Sequence, residues 1–267
     1  MKKIIVITGS TRGIGYGLAD AFLDLSCSVT ISGRSSASVE GAVSNLSTKH
    51  DAERMLGQVC DVTQIEQVQN LWDATVARFG RVDVWINNAG MNHPRREFWK
   101  NSPERIQAVV NTNLTGAMYG SQVALRGMLD QGFGGLYIMQ GLGSDGRYVE
   151  GMTLYSSTKY ALRYLTDALA AEMQGTPVLV GALSPGMVLT DMLTSEEVRS
   201  EEDWEATKRI FNILADRVED VTPWMARQIL DNNRNGMRIK WLTRGKIMGR
   251  FLTAPFRKRD LFGDAGG

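Results

Sequence analysis

The chain has 267 residues, of which 43% are hydrophobic, so it is long enough to bury a substantial core. Its 30 basic and 29 acidic residues nearly balance, which argues against a nucleic acid or another polyanion as the partner. The two cysteines, Cys27 and Cys60, lack the Cys–His spacing of a metal site, and we expect both to be small buried residues in a reducing compartment.

The sequence alternates short apolar runs with segments of helical periodicity. Strands are predicted at residues 4–7, 29–32, 55–59, 82–86, 136–139 and 178–183. Helices are predicted at residues 14–25, 65–79, 106–129 and 155–173. Continuous apolar strands, each followed by a helix, predict a mostly parallel sheet covered on both faces, with a ligand crevice beyond the carboxyl ends of the strands. Because no linker or repeat divides the chain, residues 1–267 are predicted to form one doubly wound, Rossmann-like α/β domain.

A glycine-rich loop directly follows the first predicted strand. Its glycines at positions 9, 13 and 15 permit a tight turn and a close approach of a pyrophosphate to the backbone. The spacing is G-x-x-x-G-x-G, and its place between a strand and a helix favours dinucleotide binding over an ordinary glycine-rich turn. The predicted cofactor contacts in this loop are Thr8, Gly9, Ser10, Thr11, Arg12, Gly13, Ile14 and Gly15.

The second predicted strand leads to Gly33 and Arg34, where a carboxylate would bind the ribose 2′-hydroxyl of NAD. Arg34 and Arg12 instead provide two guanidinium groups that suit a 2′-phosphate. We therefore expect NADPH as the cofactor; the alternative is that both arginines are merely solvated.

The next two strand ends add further predicted nucleotide contacts. Asp61 and Val62 follow the third strand, where the carboxylate can meet the adenine amino group. Asn88, Ala89 and Gly90 follow the fourth strand and form a small polar stretch that can lie against the adenosine.

Tyr155 and Lys159 are four residues apart, about 400° of helical rotation, so they would share one face of a helix. Such a pair alone is typical of many amphipathic helices, and its meaning depends on its surroundings. Glycines at positions 141, 143, 146 and 151 precede it. They either leave room for a large flat substrate or simply form a turn-rich loop.

Together these motifs resemble the short-chain dehydrogenase/reductase family across essentially the whole chain. The matching stretches are TGSTRGIG, CDV, NNAG, the Asn113 of NTNLTG, YSSTK and LSPGMVLT. Within the family the sequence is most similar to the chlorophyll b reductase branch. That narrower resemblance lies in VDVWINNAGMN, GGLYIMQGLGSDG, LYSSTKYALRYL, LSPGMVLTDML and KWLTRGKIMGRFLTAPFRKRDLF.

The resemblance implies roles for several of these residues. Tyr155 would donate a proton to a substrate carbonyl, or act as the base towards an alcohol. Lys159 and the positive nicotinamide together would lower the phenol pKa from its usual ~10, and Lys159 would also bind the nicotinamide ribose. Asn113 would hold a water that links Lys159 to solvent, unless it only caps a local helix bulge. The segment that would receive the carboxamide end of the nicotinamide comprises Pro185, Gly186, Val188 and Thr190.

The serine departs from the family pattern. Thirteen residues before Tyr155 stands Leu142, which cannot donate a hydrogen bond, whereas Ser144 stands eleven residues before it. We assign Ser144 the carbonyl-polarising role; the alternative is that Ser144 is a turn residue and Gln140 is the donor.

Three further segments are predicted on the substrate side. Residues 187–218, with an acidic run over 196–203, are predicted to form a substrate lid. The loop from His93 to Arg96 is expected to be exposed, or else to bind a substrate carboxylate. Residues 234–267 form a predicted basic tail, with no acid in 234–259, that suits an anionic membrane surface, a subunit interface or a segment folded on the domain.

The sequence therefore predicts an NADPH-dependent carbonyl reductase, which by resemblance reduces the formyl group of chlorophyll b or chlorophyllide b to hydroxymethyl. The alternatives are a reductase or dehydrogenase for another bulky aldehyde, ketone or alcohol, and a non-catalytic NADP(H)-sensing protein. The family implies a homodimer or homotetramer. Without an apolar run of ~18 residues or a signal peptide, we expect the cytoplasm or, after loss of a transit peptide, a plastid stroma or thylakoid surface.

Overall fold

The computed structural model describes residues 2–190, 204–256 and 259–262. Within them, one parallel sheet has the strand order β3-β2-β1-β4-β5-β6-β7. Its strands are β1 (Ile4–Ile7), β2 (Ser28–Gly33), β3 (Met55–Val59), β4 (Val84–Asn87), β5 (Gly134–Met139), β6 (Val178–Ser184) and β7 (Arg238–Lys240). The chain reverses its direction of travel across the sheet between β1 and β4. This reversal places a ligand crevice at the carboxyl ends of those two strands.

Helices cover both faces of the sheet. They are α1 (Gly13–Asp24), α2 (Ser36–Ser47), α3 (Ile65–Phe79), α4 (Pro103–Val110), α5 (Gly116–Gln131), α6 (Thr153–Glu172), α7 (Trp204–Leu214), α8 (Val218–Leu230) and α9 (Arg244–Thr253). A π-helical segment, Asn111–Thr115, joins α4 to α5. The short 3₁₀ turns are Ala52–Arg54 and Phe98–Lys100.

Two apolar cores lie on opposite faces of the sheet, and β1 contributes to both. Ile5 and Ile7 belong to the core beneath α1 and α8, whereas Val6 belongs to the core beneath α3 and α5. All three side chains are fully buried. Alternating residues of one strand face opposite layers, so a strand covered on both sides has no polar position, and this explains its continuous apolar sequence.

The predicted fold class is confirmed, and the six predicted strands are present with ends that differ by at most two residues. The predicted helix 106–129 is instead interrupted by the π-helical segment. Helix α2 escaped prediction because its serines and glycine are weak helix formers and its buried stripe is narrow, comprising Val39, Ala42 and Leu46.

The seventh strand, β7, lies within the predicted basic tail. It pairs with β6, Leu183 opposite Ile239, so this part of the tail is folded on the domain. The apolar Ile239 is buried between cationic neighbours, and three residues are too short for a periodic signal.

Helix α9 is held to the domain through Asp216, a buried carboxylate that ends the loop after α7. Asp216 accepts hydrogen bonds from Trp241 Nε1 at 2.6 Å, from Arg250 Nη2 at 2.8 Å and from Arg259 Nη2 at 3.2 Å. The Lys246 ammonium lies 3.2 Å from the centre of the Trp241 ring. Burial favours the neutral acid, but the Trp241 and Arg250 hydrogen bonds and the nearby cations hold the pKa of Asp216 below its ordinary value.

Several predicted features fall outside the described residues. These are residues 191–203 of the predicted lid, including its acidic run, and residues 257–258 and 263–267 of the predicted tail. In the described ranges, no helix combines the length and apolar character needed to cross a bilayer, and no cluster of His, Cys, Asp or Glu could hold a metal ion. Both cysteines are buried, as predicted.

Candidate active site

Hydrogen bonds tie the loop after β1 to the loop after β4. The Thr8 hydroxyl accepts from the backbone N–H groups of Asn88 and Ala89, both at 3.0 Å, and the Asn88 amide donates to the carbonyls of Thr8 and Gly9 at 3.0 and 2.9 Å. Gly9 has φ +62°, and a Cβ there would lie 2.9 Å from the Ala89 Cα. Only glycine therefore fits at this crossing.

The start of α1 offers backbone donors to a ligand. Arg12 is the N-cap residue, and its side chain makes no capping hydrogen bond, so the first N–H groups of α1 lack a side-chain acceptor. A Cβ on Gly15 would lie 2.4 Å from the Gly9 carbonyl oxygen, so the helix packs directly on the loop. A Cβ on Gly13 would lie 3.3 Å from Thr190 Cγ2, which brings the segment after β6 to the same place. This cradle fits the pyrophosphate of a dinucleotide.

The end of β2 forms the predicted adenosine end of the cradle. A Cβ on Gly33 would lie 2.6 Å from Thr11 Cγ2, so these two loops are in contact. Arg12 and Arg34 are exposed, and Ser35 caps α2, whose first turn has no acidic residue. The first turn of α2 therefore adds no carboxylate that would repel a phosphate beside Arg34.

The other predicted adenosine residues have local partners. Asp61 Oδ1 accepts from the Thr63 N–H at 3.0 Å and the Thr63 hydroxyl at 2.9 Å, so this oxygen orders the turn after β3. Val62 is buried, and a Cβ on Gly116 at the start of α5 would lie 2.6 Å from its Cγ2. Ser10, also fully buried, joins β1 to β2 by donating to Ile7 and accepting from Ser32.

The segment after β6 turns back towards the domain. Gly186, which follows Pro185, has φ +79°, and a Cβ there would lie 2.6 Å from the Leu242 Cβ. Val188 is buried and pairs with Asp216 in an isolated parallel bridge. The predicted carboxamide-binding segment is thus held between the C-terminal segment and the glycine-rich loop.

Asn113 lies in the π-helical segment and is fully buried. Its Oδ1 accepts from the Met91 N–H at 2.7 Å, and its Nδ2 donates to the Met91 carbonyl at 3.0 Å and the Thr158 hydroxyl at 3.2 Å. A Cβ on Gly90 would lie 3.3 Å from Asn113 Oδ1 and 3.8 Å from Lys159 Nζ. The side chain therefore links the loop after β4 to α6, and the water relay stays a prediction.

Tyr155 and Lys159 lie on one face of α6, as their spacing requires. Lys159 is buried; its Nζ lies 5.6 Å from the centre of the Tyr155 ring and donates to the Met139 carbonyl at 3.2 Å. Burial raises the pKa of Tyr155 to about 12 and lowers the pKa of Lys159 to about 8. Among the protein groups alone, burial outweighs the lowering expected from a cation that faces the ring, and the lowering by Lys159 together with a bound nicotinamide stays a prediction. At neutral pH the phenol carries its proton, although the raised pKa makes it a weaker acid than free tyrosine.

Gly141, one of the glycines that the sequence analysis interprets as room for a large flat substrate or as a turn-rich loop, lies against the Tyr155 hydroxyl. A Cβ on Gly141 would lie 2.6 Å from Tyr155 Oη and 3.1 Å from Lys159 Cε. Because that contact is too short for any side chain, residue 141 presents bare backbone to the reacting hydroxyl. The sequence signal for this contact is the position of Gly141, one residue after Gln140 at the carboxyl end of β5.

The two candidate donors of this loop differ in their contacts. The backbone N–H of Ser144 donates to the Gly141 carbonyl, and the backbone carbonyl of Ser144 accepts from Arg163 Nη1 at 3.4 Å. These contacts hold the backbone of residue 144, and the polarising role of its hydroxyl stays a prediction. Gln140 is buried and donates to the Thr166 hydroxyl at 3.1 Å, inside the β5–α6 interface, so it is not a substitute donor.

His93 is buried, whereas the sequence predicts that its loop is exposed. Its side chain is buried, with 1% of the residue exposed, and Nε2 lies 3.2 Å from the backbone nitrogen of Tyr155. The neighbouring Arg95 and Arg96 are exposed, so the expectation holds for them.

Comparison with known proteins gives a consistent result. The family model described as short chain dehydrogenase matches residues 3–201. The chlorophyll(ide) b reductase NOL of Oryza sativa is 36% identical over 230 residues, which are 84% of this chain and 66% of that protein. The probable chlorophyll(ide) b reductase NYC1 of Arabidopsis thaliana is 32% identical over 279 residues, 98% of this chain and 55% of that protein. The chain thus spans between about half and two thirds of these relatives.

A solved structure of ElxO with NADP bound is similar throughout. It has a TM-score of 0.79 and 25% identity, and the match covers 93% of this chain and 100% of that one.

The lowered pKa of Lys159 can be measured directly. In protein carrying ¹³C at lysine Cε, we expect one resonance to titrate near pH 8, because burial disfavours the ammonium, and to vanish in Lys159→Met. Exposed Lys49 and Lys240 provide reference resonances in the same spectrum. Lys246, whose pKa burial also lowers, is distinguished by Lys246→Met. A Lys159 resonance that titrates with the exposed lysines would contradict the assignment.

Proposed function

The chain belongs to the short-chain dehydrogenase/reductase family, and from this premise we propose that it is an NADPH-dependent carbonyl reductase. We propose that its substrate is the formyl group of chlorophyll b or chlorophyllide b, which it reduces to hydroxymethyl. The identity of 36% and 32% to two plant proteins named as reductases of that pigment supports this substrate.

The carbonyl is reduced by one hydride and one proton. Bound NADPH would supply the hydride to the carbonyl carbon, and the chain supplies everything else. Tyr155 Oη donates its proton to the carbonyl oxygen, and the ammonium of Lys159 stabilises the phenolate that is left. With a pKa of about 8, Lys159 is mostly charged at neutral pH and can hold this role. The Asn113–Thr158 hydrogen bond fixes α6 while the proton moves.

The observation that carries the proposal is the contact between the Tyr155 hydroxyl and Gly141. The reacting group lies at the carboxyl edge of the sheet, and a loop of bare backbone flanks it. A wide planar carbonyl compound can approach such a hydroxyl without meeting a side chain from residue 141. Gly143 is equally constrained, because a Cβ there would lie 2.3 Å from the Ser156 Cβ.

Ser144 is proposed to polarise the substrate carbonyl. Its backbone N–H donates to the carbonyl of Gly141, which lies against the Tyr155 hydroxyl, and this proximity within the loop supports the proposal.

Assembly into a dimer or tetramer through α5 and α6 is also proposed. Large exposed side chains on these helices support it, namely Met118, Tyr160 and Tyr164.

A peripheral contact with an anionic lipid surface is proposed for α9. Four large apolar side chains there are strongly exposed, namely Met248 (65%), Phe251 (49%), Leu252 (70%) and Phe256 (91%). Exposed Lys240 and Arg244 provide the complementary charge nearby.

Turnover of the pigment tests the main proposal. With NADPH and chlorophyllide b we expect loss of the formyl pigment's absorption, and Tyr155→Phe should lower kcat by ~10²–10⁴ because the proton donor is gone. Tyr164→Phe, an exposed tyrosine on the same helix, is the matched control and should leave kcat unchanged. Reduction of small aldehydes without pigment turnover would favour another bulky substrate, and complete inertness would favour a sensor.

The cofactor preference depends on Arg34. Replacing it in Arg34→Asp should shift the ratio of kcat/KM for NADPH over NADH towards NADH by about 10- to 100-fold, since a phosphate partner becomes a repelling carboxylate. Arg126→Asp makes the same charge change at an exposed position on α5 and should leave the ratio unaltered. An unchanged preference in Arg34→Asp removes Arg34 from this role.

Vesicle flotation tests the lipid contact. The protein should float with phosphatidylglycerol vesicles and not with neutral phosphatidylcholine vesicles, and the double variant Leu252→Ser, Phe256→Ser should remain at the bottom, because the apolar face is lost. Trp99→Ser, at an exposed aromatic residue elsewhere, is the control. The lipid proposal is wrong if the double variant floats like the parent. It is also wrong if the only change in the double variant is a loss of self-association, measured by light scattering.

A further inference from the structure

His93 joins the loop after β4 to the start of α6. Its Nδ1 lies 2.7 Å from the Pro94 carbonyl oxygen, and its Nε2 lies 3.2 Å from the backbone nitrogen of Tyr155. A carbonyl only accepts, so the proton is on Nδ1; an N–H only donates, so Nε2 must be the acceptor. The two contacts together define a neutral imidazole in a single tautomer.

This hydrogen bond serves a helix end that lacks a local cap. Met152 is the N-cap residue of α6 and makes no side-chain capping bond, so the first N–H groups of the helix need partners from elsewhere. His93 supplies one, and the N–H that it satisfies belongs to Tyr155, the third residue of the helix.

Two more contacts fasten the same pair of loops. The Arg96 N–H donates to the Gly151 carbonyl at 3.2 Å, and Arg95 Nε donates to the Glu150 carbonyl at 3.0 Å. A Cβ on Gly151 would lie 2.6 Å from Arg95 Cγ, so the loops are in close contact. We call these three interactions, made by His93, Arg95 and Arg96, the 93–96 clasp.

We propose that His93 is a positioning residue that, as a neutral imidazole, holds the N-terminus of α6 so that the Tyr155 hydroxyl stays beside Gly141. The role rests on the proposed function of Tyr155 as the proton donor. His93 itself does not touch the reacting atoms. Its effect passes through the backbone of Tyr155.

Protonation of His93 would break its hydrogen bond with the Tyr155 N–H, one of the three interactions of the 93–96 clasp. The imidazolium would place an N–H opposite the N–H of Tyr155, so two donors would face each other. The charged surroundings also oppose it: Arg96 from its own loop, Arg105 from α4 and the positive N-terminus of α6.

The pH dependence follows from these surroundings. Burial lowers the pKa of His93 below its ordinary 6.5; the hydrogen bond to Pro94 works against this, and Arg105 and Arg96 lower the pKa further. The hydrogen bond between His93 and the Tyr155 N–H is therefore intact at neutral pH and above. It is lost as the pH falls through the lowered pKa.

Two substitutions test separately the hydrogen-bond acceptor of His93 and the volume of its ring. In His93→Gln the side-chain amide oxygen can reach the position of Nε2 and cannot be protonated near neutrality. In His93→Leu the apolar volume remains but the acceptor is lost. We expect the leucine variant to lose about 10-fold in kcat at neutral pH with little change in KM, because the capping hydrogen bond is lost and Tyr155 is displaced. In the parent we expect kcat to fall at acid pH as His93 is protonated, and the glutamine variant should retain kcat within about threefold and lack this acid limb.

A readout that does not depend on turnover keeps the inference separate from the proposed substrate. With ¹⁵N-histidine and ¹⁵N-tyrosine labelling, the chain has only His50 and His93 to assign. The Tyr155 amide resonance should move with the titration of His93 and should not do so in His93→Gln. This coupling is expected even if the pigment is not the substrate.

Three results would overturn the inference. One is a leucine variant that is less stable to heat but has the parent's kcat, since that indicates a merely structural role. Another is an acid limb that persists in His93→Gln. The third is a Tyr155 amide that does not respond when His93 titrates.

Discussion

The hydrogen bonds between the ends of β1 and β4 are the constraint on which the rest of the site depends. Thr8 and Asn88 bind each other's backbone where the order of strands reverses. Thr8 is buried, and an unmade hydrogen bond there costs the full desolvation of its partner, about 1–3 kcal/mol. Gly9 is required where the two loops cross, because the Cβ of any other residue would lie too close to Ala89.

From this crossing, one chain of contacts reaches the reacting residues. The loop after β4 continues to Met91, whose backbone is bound on both sides by Asn113. Asn113 donates to Thr158, and the Thr158 hydroxyl donates to the Tyr155 carbonyl at 2.7 Å. The π-helical segment thus places a buried amide between two elements that are far apart in the sequence, which agrees with the frequent occurrence of such bulges at functional sites. The geometry of Tyr155 is therefore set by the strand ends as well as by its own helix.

Burial determines the protonation of the site. It raises the pKa of Tyr155, which keeps its proton, and lowers the pKa of Lys159, which loses its proton more easily. The same effect keeps His93 neutral. Burial shifts the pKa of all three groups towards the neutral form for one physical reason, the cost of placing a charge in a poorly solvated interior, although Lys159 is still mostly charged at neutral pH. The carboxyl edge of the sheet is where such groups can be buried and still reach a substrate.

The sequence by itself determined the fold class, the order of the first six strands along the chain and the places of the glycine-rich loop and of the Tyr155–Lys159 pair. These depend on local patterns: apolar runs of strand length, glycines between a strand and a helix, and a four-residue spacing. Only the tertiary structure decided that Gly141 lies against Tyr155, that the backbone carbonyl of Ser144 accepts from Arg163 and that His93 is buried. It also showed that a basic tail contributes a strand and pairs with Asp216. The physical reason is the same in each case: burial and hydrogen-bond partners come from residues distant in the chain, and no local pattern encodes them.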